Sequence, residues 1–360
     1  MKRIYSRDFH PMTDIEQNLF HEFLRTFNTA ANQGFSKSVD SDDDFRQAIR
    51  HSNAVFSAFK THRMQNDMAA RLLDENGDLK PFEQWKKDVR SIASHQCGAW
   101  LRTEYDTAVI RARQAADWKQ FERERDVLPN LKWLPSTSLH PGEDHRPFWG
   151  TILPIDHPFW SQHRPGDRWN CKCDLTSTDE PPTPVPSVAV SQQPANSPHR
   201  GLDNNPGTDA KLFSDSHPYI ANAYPGAKEA VEKVVRTLEI KETKLSLRKA
   251  VQGKTANNKK FGHDILVSRA SIDEWVNQPF KYPDEKILML YDILDVIRKA
   301  EYLGPADKHK DIDRLVQSHI FRIAVKDIDA YIIIHEYNDG KYILHSISDS
   351  QNILKYLKSK

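Results

Sequence analysis

Between Asp179 and Ala210 lie seven of the chain's 21 prolines, among them Pro181, Pro182, Pro184, Pro186 and Pro194. Proline has no amide donor and a fixed φ, so neither a helix nor a central strand can run through such a stretch. The segment has no aromatic residue and no apolar period. It buries too little surface to offset the entropy of ordering it and reads as an extended linker. The expected division is an N-terminal part over 1–178, a linker over 179–212 and a C-terminal domain over 213–360. Two or three domains also suit 360 residues at roughly 100–200 residues each.

The mean hydropathy of −0.70 is polar for a globular chain, yet 16 Phe, 11 Tyr and 8 Trp are too many aromatics for a disordered one. The 51 basic and 50 acidic side chains nearly cancel. The whole molecule is therefore not an electrostatic nucleic-acid binder, and any such role needs a local patch. No run of about 18 apolar residues is present, which excludes a membrane-spanning helix and a membrane partner. Met1 to Asp8 lacks an apolar segment, so no secretory leader is expected. Three cysteines cannot make a disulfide framework, which fits a reducing compartment.

Helical periods dominate up to about residue 126. Leu19, Phe20, Phe23, Leu24 and Phe27 form one stripe, and Phe45, Ile49, Phe56 and Phe59 a second. A third starts at Pro81, a favourable first-turn residue. It runs through Phe82, Trp85, Val89, Ile92, Trp100, Leu101, Tyr105 and Val109, as one helix of about 45 residues, some 65 Å long, or as two broken near Gly98. Cys97 is expected in its core. After Pro129 the chain is rich in Trp, Pro and His with little period, a loop-rich unit over 127–178 that needs some other means of holding together.

The C-terminal part reads as helices followed by strands. Gly226 to Leu238 is helical, Ser271-Ile272-Asp273-Glu274 fits a capping box, and Asp284 suits the cap of a helix carrying Ile287, Leu288, Leu290, Tyr291, Leu294 and Ile297. Strands are expected over Ile320 to Val325, Tyr331 to Tyr337 and Tyr342 to Ser348. Asn338-Asp339-Gly340 is a hairpin signal, and a short helix from Ser350 to Leu357 closes the chain. The predicted fold class is α+β: a helical N-terminal region with a loop-rich His/Cys/Trp unit, then a separate domain of helices on a small antiparallel sheet.

The loop-rich unit contains Trp133-Leu134-Pro135, His145-Arg146-Pro147-Phe148-Trp149-Gly150, Pro158-Phe159-Trp160, Pro165-Gly166 and Trp169-Asn170-Cys171-Lys172-Cys173. Thiolates at Cys171 and Cys173 with an imidazole from His145, and a fourth donor from His140 or His157, would make a tetrahedral zinc set. Zinc would also explain how so irregular a unit stays folded. The competing reading is two small buried residues beside packed tryptophans. The ordered series of motifs resembles the Mu-F-like head morphogenesis (minor head) proteins of tailed phages over residues 80–178. His157 and His140 depart from that pattern, which has a second acidic residue after Asp156 and a basic or polar residue at 140. The resemblance implies a component of the virion head interior, made in the host cytoplasm, with portal and capsid proteins as partners. No phosphate loop, nucleophile elbow or zinc-protease helix occurs in 1–178.

Four segments resemble the barnase/EndoU/colicin E5-D/RelE-like nuclease group: Phe261 to Ser268, Lys299 to Gly304, Ser318 to Phe321 and Tyr342 to Asp349. That resemblance implies a metal-independent endoribonuclease in 213–360, RNA as a partner, and an immunity protein if the domain is toxic. Metal-free RNA cleavage needs a base for the 2′-hydroxyl, an acid for the leaving oxygen and a cation for the phosphorane. His319 is the first candidate, with His335, His345 and Glu336 on the hairpin. Ser346 is a candidate to orient phosphate, as is Ser348. Lys308, Lys310, Arg314, Arg322 and Lys326 are available cations. A three-residue hairpin loop would put His335 and His345 on one face, together with Ile333, Ile343 and Ile347; a two-residue turn would separate the histidines. Lys241, Lys244, Arg248, Lys249, Lys254, Lys259 and Lys260 against Glu242 alone read either as a phosphate-contacting run or as a solvated face. The alternatives to a nuclease-bearing head protein are a purely structural head protein with an inactive C-terminal domain and a polymorphic toxin not tied to virions.

Overall fold

The computed structural model describes residues 1–7, 9–36, 42–187, 196–307 and 313–358. It is an α+β chain of two compact units, 1–235 and 236–360. The first is built on three helices, α1 (Gln17–Phe35), α2 (Asp43–Ala69) and α3 (Trp100–Glu124). Glu16 and Asp42 cap α1 and α2 by accepting the amides of Leu19 and Phe45, satisfying donors that have no partner inside a helix. The apolar stripes of α1 and α2 are buried as their period predicts: Phe20, Phe23 and Phe27 on one, Ile49, Phe56 and Phe59 on the other.

The third stripe holds only in its first half. Trp85 and Val89 are buried, but the helix breaks where Gly98 takes φ −116° and ψ −105°. That irregular turn resets the helical phase on entry to α3. The buried face of α3 is Ala108, Ala112 and Ala115, while Trp100 is 51% exposed. Cys97 sits at the break and is exposed rather than in the core.

A small antiparallel sheet comes next, with β1 (Asn130–Leu134) between β2 (Ile152–Pro154) and β3 (Asp174–Thr178). Trp133, Phe148, Phe159 and Trp160 close over it with Trp118 and Phe121 of α3.

The described parts of the expected linker are not free chain. Lys132 pairs with Glu180 at 2.7 Å, and the Thr183 amide donates to the Ile152 carbonyl at 2.9 Å. Leu202, Leu212 and Phe213 are buried. A Cβ on Gly207 would collide with the Trp118 side chain, so only glycine permits that approach. Arg111 of α3, fully buried, donates to the carbonyls of Leu212 (2.7 Å), Gly166 (2.7 Å), Leu202 (3.2 Å) and Asn204 (3.0 Å). Residues 196–225 therefore belong to the first unit, and the division falls at 235/236 rather than at 213. Proline did not exclude helix there: Pro206–Asp209 and Pro218–Ala221 are short helices that proline opens, and the irregular chain between them packs because a donor satisfies its carbonyls.

The division lies inside α4 (Ala227–Val251), which extends well past Leu238. In the second unit α5 (Arg269–Asn277), α6 (Pro283–Tyr291) and α7 (Ile293–Lys299) cover one face of a six-stranded sheet. The capping box of α5 is Ser268 with Ser271, three residues ahead of the one expected. Asp284 lies in the first turn of α6, whose cap position is Tyr282. The strand order is β4 (Thr255–Asn257), β5 (Asp264–Leu266), β9 (Tyr342–Ser348), β8 (Ile328–Tyr337), β7 (Leu315–Val325), β6 (Glu301–Ala306), with β5 and β9 parallel and the rest antiparallel. Phe321, Ile332, Ile334, Leu344 and Ile347 face the helices with Trp275, Leu290 and Ile293. On the opposite face Ile320, Tyr331 and Ile333 meet Ile353, Leu354 and Leu357 of the closing segment, whose Gln351–Tyr356 is a 3₁₀ helix.

Replacing Arg111 by Met keeps the volume and strands four carbonyls, three of them buried. We expect a loss of about 3–5 kcal/mol in urea unfolding, with faster limited proteolysis within 200–215. An unchanged midpoint and cleavage pattern would show that the segment holds itself.

Candidate functional site

Two clusters of chemistry-bearing side chains stand out, one in each unit. In the first unit, His145 precedes the short 3₁₀ turn Arg146–Phe148, and Cys171 and Cys173 lie just before β3. The loop that delivers the cysteines turns at Gly166, where φ is +82° and a Cβ would strike the Gln114 side chain; glycine is needed on both counts. Gln114 in turn donates to the Cys173 carbonyl at 3.3 Å. One donor atom from each of His145, Cys171 and Cys173 lies within 4.8 Å of the other two. His145 Nδ1 is 3.3 Å from Cys171 Sγ, and its Nε2 is 2.7 Å from Asp167 Oδ1. Arg168 donates to the same Asp167 oxygen at 3.0 Å. All of these groups are buried or nearly so. Burial opposes charge on His145, but its hydrogen bonds to Asp167 and Cys173 raise its pKa to about 9. The hydrogen bond from Cys171 draws the Cys173 thiol below its usual range, and the same bond holds Cys171 up.

The three expected metal-ligating residues are thus brought together. The two candidates for a fourth position are not. His140 is exposed, and His157 uses Nδ1 to accept the Phe159 amide at 3.1 Å. Asp167 was missed from sequence; its only signal was its place in the Pro-Gly-Asp turn before the cysteine pair.

In the second unit, the four expected catalytic residues do not converge. His319 lies on the helix-covered side of the sheet. Its Nδ1 is 2.9 Å from the Tyr302 hydroxyl and its Nε2 is 2.8 Å from Glu336 Oε2. Gln317 also donates to Glu336 Oε2, at 2.7 Å. Phe261, Tyr342 and His263 surround the group: Phe261 packs on the His319 ring, and His263 stacks on Tyr342 at 4.4 Å. Burial lowers the His319 pKa despite the bond to Glu336. A neutral ring accepts from Tyr302 O–H at Nδ1 and donates from Nε2–H to the carboxylate. Burial works against the Glu336 charge, but the bonds from Gln317 and His319 keep its carboxyl below the usual range.

His345 and Ser346 lie on the other face. They line a cavity of about 330 Å³ with His335, Ser318, Ser348, Ile320 and Ile333. The His335 and His345 rings stack at 3.9 Å. Tyr337 N–H donates to Lys341 O, so the hairpin loop has three residues and His335 pairs with Ile343, the register that puts both histidines on one face. A bulge between Ile333 and Ile334 turns Ile347 to the helix side instead. Arg322 is exposed and held by Glu301 at 2.6 Å, away from both groups. Lys326 is taken by Glu285. Lys308 and Lys310 lie outside the described residues. Of the basic run, Lys244 bonds to Asn277 and Arg248 to Asp273.

Residues 76–176 match the family model described as Phage Mu protein F like protein. Residues 239–345 match Large polyvalent protein-associated domain 3. The chain is thus similar to two families in succession, each over less than half of its length. No curated protein and no solved structure matches it. The Mu F-like match ends just past the cysteine pair, and the second match takes in the whole His319–Glu336–Tyr302 group. No helix among the described residues is long and apolar enough to cross a membrane.

The His319 ring should titrate below an ordinary histidine. Glu336→Gln removes the bond that favours the imidazolium, so the midpoint should fall further. Ring-proton NMR against pH checks both; a rise in the variant would contradict the assigned contact.

Proposed function

We propose that this protein is a minor head component of a tailed phage or prophage, assembled in the host cytoplasm and retained inside the head beside the portal. The observation that carries this reading is the Mu F-like match over 76–176. The matched span lies within the first unit and takes in the helices from Phe82 to Glu124 and the aromatic unit that closes over the small sheet. Such a body suits docking to other structural proteins, its partners being the portal and capsid subunits. Particles induced from a lysogen encoding the chain test this. The chain should co-sediment with filled heads and resist external protease. Heads of normal composition without it would sink the reading.

A second activity is favoured by the His319 group. The reading is a C-terminal endoribonuclease that needs no metal. Glu336, ionised at neutral pH, is suited to take the 2′-hydroxyl proton as O2′ attacks phosphorus. The exposed His263 is suited to protonate the departing 5′-oxygen. His319 positions Glu336, and Lys358, bonded to Gln317 at 2.7 Å, supplies positive charge near the phosphate. Phe261 and Tyr342 offer rings on which a base can stack. Full-length protein is incubated with transfer RNA and total RNA in chelator. Cleavage should fall by about 100-fold or more in Glu336→Gln, fall in His319→Ala, and persist in His345→Ala. Intact RNA with folded protein leaves the purely structural role.

A further inference from the structure

We propose that His145 Nδ1, Cys171 Sγ and Cys173 Sγ bind one zinc ion, with Asp167 as the carboxylate that orients the histidine. The proposal goes beyond the head-protein reading and stands without it.

The geometry is the first support. Tetrahedral zinc with Zn–N of about 2.05 Å and Zn–S of about 2.3 Å separates nitrogen from sulfur by about 3.5 Å. The structure has His145 Nδ1 at 3.3 Å from Cys171 Sγ, and the Cys173 donor within 4.8 Å of both. An ion fits with only small side-chain adjustments. The second support is the outer contact. Metal-bound histidines commonly donate their other ring N–H to a carboxylate. Here Nε2 meets Asp167 Oδ1 at 2.7 Å. Asp167 is fully buried and fixed in turn by Arg168, which a second aspartate, Asp144, holds at 3.0 Å.

Charge and burial are the third. His145 is 3% exposed, Cys171 9% and Cys173 2%. Two thiolates, a neutral imidazole and a dication sum to zero, which a buried site tolerates far better than an unpaired thiolate. Strands of three to five residues joined by irregular loops also leave this unit short of regular hydrogen bonding, and a metal cross-link supplies what the strands do not. Among the described residues no fourth His, Cys or acidic donor completes the group.

The same contacts, thiol to imidazole to carboxylate, also describe a nucleophilic cysteine. Two observations favour zinc. A nucleophile requires one sulfur, whereas two converge on this imidazole. A nucleophile also requires access, whereas both sulfurs and the ring are at least nine-tenths buried.

The test uses the full-length chain purified under reducing conditions, with zinc content by mass spectrometry and titration by zinc ion alone. The expected result is about one equivalent per chain, falling several-fold in Cys171→Ser and in Cys173→Ser. Asp167→Asn should retain the site with affinity weaker by about 10–100-fold. Because the serine variants risk misfolding, the wild-type protein provides an independent reading. Cobalt exchanged into it should give thiolate charge-transfer bands, and a chelator should lower its Tm. A folded wild-type protein with no zinc, no cobalt bands and a Tm indifferent to chelator overturns the proposal. Rapid alkylation of one thiol in that metal-free protein would assign the site to nucleophilic chemistry instead.

Discussion

Arg111 is buried at the centre of α3 with no carboxylate among the described residues in direct contact, and its guanidinium is spent mostly on backbone. It donates to carbonyls from the cysteine loop and from the 202–212 segment, and to the Asn204 side chain at 2.6 Å. Burial lowers its pKa to about 9, so it stays protonated at neutral pH. The planar fork suits this use, since five N–H groups fixed in one plane can satisfy several acceptors at once. Without it, two stretches of irregular chain would have carbonyls facing a helix that offers them nothing. The cysteine loop's Gly166 is one of the residues so held, so the proposed zinc site and the packing of the 202–212 segment share this single side chain.

A second buried charge binds α2 to α3. Lys60 and Glu104 pair at 2.7 Å, with Lys60 wholly buried and Glu104 nearly so. The Tyr219 hydroxyl accepts from Lys60 at 3.1 Å, and the Phe23 and Tyr219 rings lie within 5 Å of the ammonium. Burial lowers the Lys60 pKa and raises that of Glu104. Pairing such groups costs much of what it returns. Its effect is selective: α2, α3 and Tyr219 fit together only in the arrangement that leaves neither charge alone. Both charged anchors of this unit thus meet residues drawn from beyond the proline-rich stretch.

In the second unit the sheet separates two groups of candidate side chains that the sequence reading places together. His319 and Glu336 lie on the helix side, whereas His335, His345 and Ser346 line the opposite cavity. Strand alternation alone predicts that neighbouring residues point apart. The pairing of strands and the bulge at Ile333 and Ile334 decide which residues of β8 and β9 end up together. The strands and the presence of a hairpin were legible because alternation and turn chemistry are local; whether His335 faces His345 was not, because sequence left the loop open between two and three residues and the observed register decides it. Tyr302 as the partner of His319 was not, because it arrives from a separate strand.

Sequence alone determined the two apolar stripes of α1 and α2, the α+β order, the irregular aromatic stretch and the grouping of His145, Cys171 and Cys173 as candidates. Each is written in local period, turn residues or donor chemistry. Tertiary structure alone decided that the proline-rich region's far end is packed, that the phase of α3 changes at Gly98, and that Asp167 stands behind His145. These depend on which distant groups are left needing a partner. A buried carbonyl, a buried charge or an imidazole N–H is satisfied by whatever the folded chain brings within about 3 Å, and no spacing along the sequence records that distance.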